Sequence, residues 1–239
     1  MANGKQALVM LPGLLCDRAV WQHQIDALAG LADCTSIEWG KEDSLDAMAE
    51  TALRQAPARF SVAGHSMGGR AALEVFRLAP ERVARIALFN TGCTGRPQST
   101  AGEEEERGRM ALLAIARSEG MRAMAAQWLP PMLHPARRTD RGLAETIIEM
   151  FARQTPDVFA AQIRALLGRP DRCDLLGQIR CPALLLTGRE DGWSPAARHA
   201  EMAAKIPGST LTVIPDCGHM SMLEQPEAVT SALRDWLEV

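Results

Sequence analysis

The stretch Phe60-Ser61-Val62-Ala63-Gly64-His65-Ser66-Met67-Gly68-Gly69 constrains this chain more than any other. Phe60, Val62 and Ala63 end a buried strand. Ala71, Ala72, Leu73, Val75 and Phe76 follow as an apolar helix with no linker between. A chain that passes so abruptly from strand to helix holds its corner residue on a sharp turn. The residues two positions either side must then be small, because a side chain there would meet the crossing strand or helix. Gly64 and Gly68 satisfy that demand, and Ser66 stands at the corner. The G-x-S-x-G pattern has low specificity alone, so the surrounding chain must carry the inference.

The flanks supply a regular rhythm. Ala7-Leu8-Val9-Met10-Leu11 is a continuous apolar run, as expected of a strand covered on both faces of a parallel sheet. Pro12-Gly13-Leu14-Leu15-Cys16-Asp17 breaks it, and Val20, Trp21, Gln24, Ile25 and Leu28 recur at helical spacing. A second strand is predicted near Thr35 to Trp39, and Ser44 caps a helix carrying Leu45, Met48, Ala52 and Leu53. Val83 to Phe89 is another buried strand. From about Thr94 to Gly168 the strand signal stops, and amphipathic helices are predicted over 102–118, 120–128, 140–153 and 156–167, with Met110, Leu113, Met124, Ile147 and Phe159 on their apolar faces. Strands resume at Ala183 to Thr187 and Thr210 to Ile214, and an amphipathic helix with Val229, Leu233 and Trp236 ends the chain. Strands that alternate with helices imply an α/β fold, here a mostly parallel sheet of about six strands with right-handed crossovers. The expected organisation is a core of residues 1–93 and 169–239 and an all-helical cap, or lid, of residues 94–168 that roofs the strand ends.

Composition narrows the function. The chain has 239 residues, 47% of them hydrophobic, and its net charge of −3 is interspersed, which argues against a nucleic-acid or anionic-membrane surface. The run Glu103-Glu104-Glu105-Glu106 reads as a solvated helix start. With no tyrosine, a tyrosine-based catalyst or oxyanion donor is excluded. Cys16, Cys34, Cys93, Cys173, Cys181 and Cys217 are scattered singly, without metal-ligand spacing. They are expected to pack as small apolar groups in a reducing compartment, and neither a metal nor a cofactor is expected. No apolar signal core precedes the first strand, and no stretch approaches the roughly 18 apolar residues of a membrane span, so a cytoplasmic protein, monomer or homodimer, is expected.

A serine hydroxyl needs a base within hydrogen-bond reach and a third group to hold that base in the right tautomer. In a parallel sheet these groups belong at the carboxyl ends of the strands. Among five histidines, His23 reads as surface or packing, His65 as structural, His134 lies between cap prolines, and His199 sits on a charged helix. His219 alone follows the last strand, in a loop of small residues, and is the candidate base. Glu190, Asp191 and Asp216 end strands; Asp216 is awkwardly close to His219, and Asp191, in the turn after the preceding strand, is favoured as the acid. The order Ser66, Asp191, His219 is the one expected on such a sheet. The backbone N–H groups of Met67, at the helix start, and Leu14, in the loop after the first strand, are the candidate oxyanion donors.

With Leu11-Pro12-Gly13-Leu14, Gly64-His65-Ser66-Met67-Gly68-Gly69, Gly188-Arg189-Glu190-Asp191-Gly192-Trp193-Ser194-Pro195 and Gly218-His219 followed by Leu223-Glu224-Gln225-Pro226-Glu227, the chain resembles the α/β-hydrolase superfamily over its whole length. The resemblance implies the α/β-hydrolase fold, a Ser66 nucleophile, an Asp191 acid, a His219 base and an oxyanion hole at Leu14 and Met67, and it suggests a small carboxylesterase-like member. Two departures stand out. Pro12-Gly13 occupies the place where the family often has His-Gly, and the family's leading antiparallel strand pair is not expected, since only about six residues precede the first strand. The expected reaction is hydrolysis of a small, largely apolar carboxylic ester through an acyl-enzyme, with Trp128, Met132, Phe151, Trp193 and Met220 as candidate substrate contacts. Relatives with the same triad include carbon–carbon bond hydrolases, synthases or lyases that share Ser-Met-Gly-Gly-Arg (here ending at Arg70), thioesterases and perhydrolases. A non-catalytic ligand receptor is the alternative from another class. The facing of Arg107, Arg109, Arg117 and Arg122 in the cap is left open by the sequence.

Overall fold

A computed structural model describes residues 5–239; Met1 to Gly4, part of the segment ahead of the first strand in which the sequence shows no apolar signal core, lie outside the described residues. Six strands form one parallel sheet: β1 (Gln6–Leu11), β2 (Ala32–Ser36), β3 (Phe60–His65), β4 (Val83–Phe89), β5 (Ala183–Gly188) and β6 (Thr210–Ile214), in the order β2-β1-β3-β4-β5-β6. The central strands β3 and β5 are buried at every residue, which explains their unbroken apolar character, whereas the edge strands β2 and β6 alternate or stay partly exposed. On the core flanks lie α1 (Gln22–Ala27), α2 (Leu45–Gln55) and α3 (Met67–Leu78). Ser44 caps α2 by accepting the Ala47 N–H at 3.1 Å.

Between β4 and β5 every regular element is helical: α4 (Thr100–Ser118), α5 (Met121–Trp128), α6 (Arg141–Ala152) and α7 (Pro156–Leu167), with short 3-10 turns between. Leu113, Met124, Ile147, Phe151 and Phe159 are buried, but Met110 is 47% exposed and lies outside the apolar face assigned to it from sequence. After β5 come α8 (Ala196–Ala203), then β6, the single turn α9 (Ser221–Glu224) and α10 (Pro226–Glu238).

Two expectations are corrected. The second strand ends at Ser36, earlier than the predicted Thr35–Trp39. Ile37 and Trp39 are buried anchors past its end, where the Ile37 N–H donates to Met10 O at 3.0 Å and the Trp39 indole donates to Pro12 O at 2.9 Å. The cysteines do not all pack singly: Cys93 and Cys173 form a disulfide across a sequence separation of 80. The two ends of the helical insert run side by side there, the Arg172 N–H donating to Cys93 O at 2.8 Å, and this brings two remote thiols together. Cys16 and Cys217 remain free and buried, and burial pushes both thiols well above their ordinary range.

The sheet order decides where chemistry can gather. The loops after β1, β3, β4, β5 and β6 emerge at one edge of the sheet, with the turn after β4 between those after β3 and β5.

Candidate active site

At the end of β3, Ser66 sits at φ 54°, ψ −112°, a strained conformation for a residue with a side chain. The strain is over-determined by close backbone contact. A Cβ on Gly64 would lie 2.3 Å from Gly68 O, and one on Gly68 would lie 2.1 Å from Leu11 O, so neither position admits a side chain. The Ser66 N–H donates to Phe89 O at 2.8 Å, and the Thr91 hydroxyl donates to Ser66 O at 2.6 Å.

Ser66 Oγ lies 3.0 Å from His219 Nε2, and His219 Nδ1 lies 2.8 Å from Asp191 Oδ2. Facing a carboxylate that can only accept, Nδ1 carries the ring proton and Nε2 is left as the acceptor toward Ser66. Asp191 is held on every side: its Oδ1 accepts the N–H groups of Trp193 and Ser194, both at 2.9 Å, and its Oδ2 also accepts Asn90 Nδ2 at 2.9 Å. Burial alone would raise its carboxyl. The attraction and hydrogen bond of His219, with the bonds from Asn90 and Ser194, outweigh that and hold it well below the usual carboxylate range. Such a group stays charged and keeps the imidazole oriented.

Several supporting residues carry no motif. Asn90, at φ 48° just past β4, spans the site: besides Asp191 it donates to Gly218 O at 3.2 Å and accepts from the Ser221 hydroxyl at 2.6 Å. Its signal in the sequence is a polar residue closing an apolar strand. Glu224 is buried and accepts three backbone N–H groups, from His134 at 2.7 Å, Gly218 at 3.0 Å and Met220 at 3.2 Å. It therefore grips the chain on both sides of His219 and ties it to the helical insert. Burial pushes its carboxyl up, against the pull of those three donors. The His219 N–H in turn donates to Met132 O at 2.6 Å, and a Cβ on Gly218 would lie 2.4 Å from that same oxygen.

The other histidines have separate roles. His65 is buried and its Nε2 lies 3.0 Å from His219 O; burial and the neighbouring His219 lower it to about 3. His199, on the charged helix α8, is buried, and its Nε2 accepts the Thr91 N–H at 3.1 Å. Burial lowers it to about 4. His23 pairs with the Thr230 hydroxyl at the surface. His134, Glu190 and Asp216 each bring a ligand atom within 4.8 Å of the others, but His134 Nδ1 already accepts the Ala136 N–H and Glu190 the Cys217 N–H, so two of the three are engaged in holding loops.

Among the described residues, the Leu14 and Met67 N–H groups donate to no protein acceptor. The loop that carries Leu14 is fixed from both sides. Trp39 binds Pro12 O, and Gln162 of α7 accepts the N–H of Leu15, itself strained at φ 62°. A small cavity of about 60 Å³ lies beside Ser66 and His219, and Trp128, Met132, Phe151, Trp193 and Met220 all line it. Trp193 links its parts, stacking on Trp128 at 5.6 Å and meeting the His219 ring at 5.0 Å between centroids. A second cavity of about 550 Å³ opens from the same serine and histidine toward Arg70, Arg109, Arg169 and Arg198. The glutamate run is thus not wholly solvated, since Glu105 turns inward onto Arg109 and Arg169. Arg122 faces outward, pairing with Glu145 and Glu149. No helix among the described residues is long and apolar enough to cross a membrane.

An oriented imidazole on a strained, glycine-flanked serine, beside two free backbone donors, can activate the hydroxyl and stabilise a developing oxyanion. Known proteins resemble the chain over most of its length. The chain is 30% identical over 236 residues to a pimeloyl-[acyl-carrier protein] methyl ester esterase of Nitrosomonas europaea, covering 94% of this chain and 92% of that one. It is 25% identical to a 2-hydroxy-6-oxononadienedioate/2-hydroxy-6-oxononatrienedioate hydrolase of Klebsiella pneumoniae, covering 98% and 88%. Among solved structures, a thermophilic esterase of Thermogutta terrifontis with malate bound superposes with a TM-score of 0.85 at 29% identity, covering 98% of this chain and 90% of that one. The model of the alpha/beta hydrolase family matches residues 8–232, from β1 to the last helix, so every element that positions Ser66, Asp191 and His219 lies within the match and the chain belongs to that family.

Proposed function

We propose that the protein is a serine hydrolase that cleaves a carboxylic ester through an acyl-enzyme. The observation that carries this reading is the continuous relay from Ser66 Oγ to His219 Nε2 at 3.0 Å and from His219 Nδ1 to Asp191 Oδ2 at 2.8 Å. As Ser66 Oγ attacks the acyl carbon, its proton passes to His219 Nε2. The carbonyl oxygen becomes an oxyanion that the Leu14 and Met67 N–H groups receive. His219 then gives the proton to the departing alkoxide, which leaves as the alcohol, and the acyl group stays on Ser66. Water enters, loses a proton to His219 and attacks the acyl carbon; the proton returns to Ser66 Oγ as the acid departs. Asp191 stays ionised throughout and stabilises the imidazolium formed in each half-reaction.

A second reading, hydrolysis of a carbon–carbon bond in a vinylogous dioic acid, has support from the relative named as a hydrolase of such dioates. His65 in place of the asparagine usual before that nucleophile, and Leu14-Leu15-Cys16 in place of a longer glycine-rich loop, weigh toward the ester. The test is a panel of p-nitrophenyl esters of varied acyl length against the unaltered protein and Ser66→Ala. Multiple turnovers lost by at least about 10³-fold in the variant support the reading. Full turnover by Ser66→Ala, or a single slow turnover by the unaltered protein, sinks it.

A further inference from the structure

The two cavities that meet at Ser66 and His219 differ in chemistry as well as size. Beyond Ser66, His219 and His65, the small one is lined by apolar residues and a single charged group, Arg109. The large one is lined by four guanidinium groups, Arg70 at the start of α3, Arg109 of α4, Arg169 at the exit of the insert and Arg198 of α8, and by two carboxylates, Glu104 and Glu105. Glu105 alone serves two of the arginines: it accepts Arg109 Nε at 3.0 Å and both Nη1 and Nη2 of Arg169 at 2.7 Å. The remaining two have no carboxylate partner among the described residues. Arg70 donates to Thr94 O at 2.7 Å and Arg198 to Trp193 O at 2.8 Å, both neutral acceptors.

Arg70 and Arg198 converge on one point. A Cβ on Gly92 would lie 3.4 Å from Arg70 Nη2 and 3.0 Å from Arg198 Cδ, so a glycine keeps the floor between them open. Two guanidiniums held close in a partly desolvated cavity repel each other, and each has donors left over after its single carbonyl. Burial, together with Arg169, Arg198 and Arg109, pulls Arg70 down to about 9 against the one opposing pull of Glu105. The planar fork of arginine matches the two oxygens of a carboxylate or phosphate. An anion placed there would relieve the repulsion and take up the free donors together.

We propose that Arg70 and Arg198 form an anion subsite, so that the natural ester joins a small apolar group, seated in the 60 Å³ cavity, to a larger group ending in a carboxylate or phosphate that lies over Gly92. The proposal rests on the esterase reading above. It is tested with three esters: dimethyl adipate, which is neutral; monomethyl adipate, which carries a carboxylate; and methyl 5-phosphonooxypentanoate, which carries a phosphate. The unaltered protein should favour one of the anionic esters over the neutral one by about tenfold or more in kcat/KM, and which anion gains more tells the two sources apart. Arg70→Gln and Arg198→Gln should each erase most of that preference through KM, while Arg122→Gln, on the outer surface, keeps it. A preference that is absent, or that survives Arg70→Gln and Arg198→Gln combined, overturns the subsite. Binding to Ser66→Ala by calorimetry separates the two readings. Tighter binding of an anionic ester than of dimethyl adipate, with no turnover of any ester by the unaltered protein, would overturn the esterase and support the subsite. Equal binding of all three would overturn the subsite alone.

Discussion

Replacing Glu224 with glutamine turns one oxygen of a buried carboxylate into an amide without changing its size. Three backbone N–H groups depend on that carboxylate: Gly218 and Met220 on Oε1, and His134 on Oε2. The glutamine oxygen can keep the first two, while its NH₂ faces the His134 N–H, donor against donor. One buried N–H left without an acceptor costs about 1–3 kcal/mol, and the two bonds retained lose their charge assistance, for a total of about 2–5 kcal/mol. In a chain of this size that lowers the melting temperature by on the order of 10 °C. The same change frees the chain on either side of His219, and a shift of about 1 Å in a reacting group costs about 10²-fold in rate. Urea denaturation and kcat on a p-nitrophenyl ester, measured on Glu224→Gln at one pH, read both effects. A variant within about 0.5 kcal/mol of the unaltered protein, with unchanged kcat, would refute the positioning role drawn from these contacts.

Two further outcomes follow from the contacts outside the relay. Reducing the Cys93–Cys173 bond, or replacing both cysteines with alanine, opens a loop with a sequence separation of 80 and should cost up to about 4–5 kcal/mol on the chain-entropy model, read as a drop in the denaturation midpoint; an unchanged midpoint would contradict it. Acid should destabilise the fold well before ordinary carboxylates titrate. His65 and His199 are lowered to about 3 and about 4, so the unfolded chain binds more protons than the folded one below the unfolded value of about 6.5; stability is full above that pH and is lost as pH falls toward 4. Asp191, also held low, adds to the loss further down, while Glu224, raised by burial, opposes it. Between pH 6.5 and 5 the two histidines together account for on the order of 3–4 kcal/mol, and His199→Gln should flatten the slope. A midpoint independent of pH over that range would contradict the buried, neutral assignment.

What could be read from the chain was what is local. The six-stranded parallel sheet follows from apolar runs stopped by turn residues, and the need for Gly64 and Gly68 follows from the abruptness of the corner, which the 2.1–2.3 Å contacts express in space. Ser66, Asp191 and His219 could be singled out because each ends or follows a strand, and the sheet order then brings them together. The support around them was not legible, because it is assembled across the fold. Asn90 reaches Asp191 over a separation of 101 residues, and Gln162 of the insert reaches Leu15 over 147. The Cys93–Cys173 bond joins the two ends of the insert across a sequence separation of 80, a pairing that six singly scattered cysteines do not announce. His199 stands on a charged helix with nothing in the sequence to show that this face turns inward to Thr91. Glu105 sat in a run of four glutamates whose average character hid the one that faces Arg109 and Arg169.

Acylation of Ser66 is the central chemical event of the proposed reaction. Intact-mass and peptide analysis of the protein, acid-quenched during turnover of a p-nitrophenyl ester, reads this directly. The expected result is the mass of one acyl group on the peptide that carries Ser66, accumulating in His219→Ala only at a greatly reduced rate and absent from Ser66→Ala. Sustained turnover with no adduct on that peptide, or with the adduct on another residue, would contradict it.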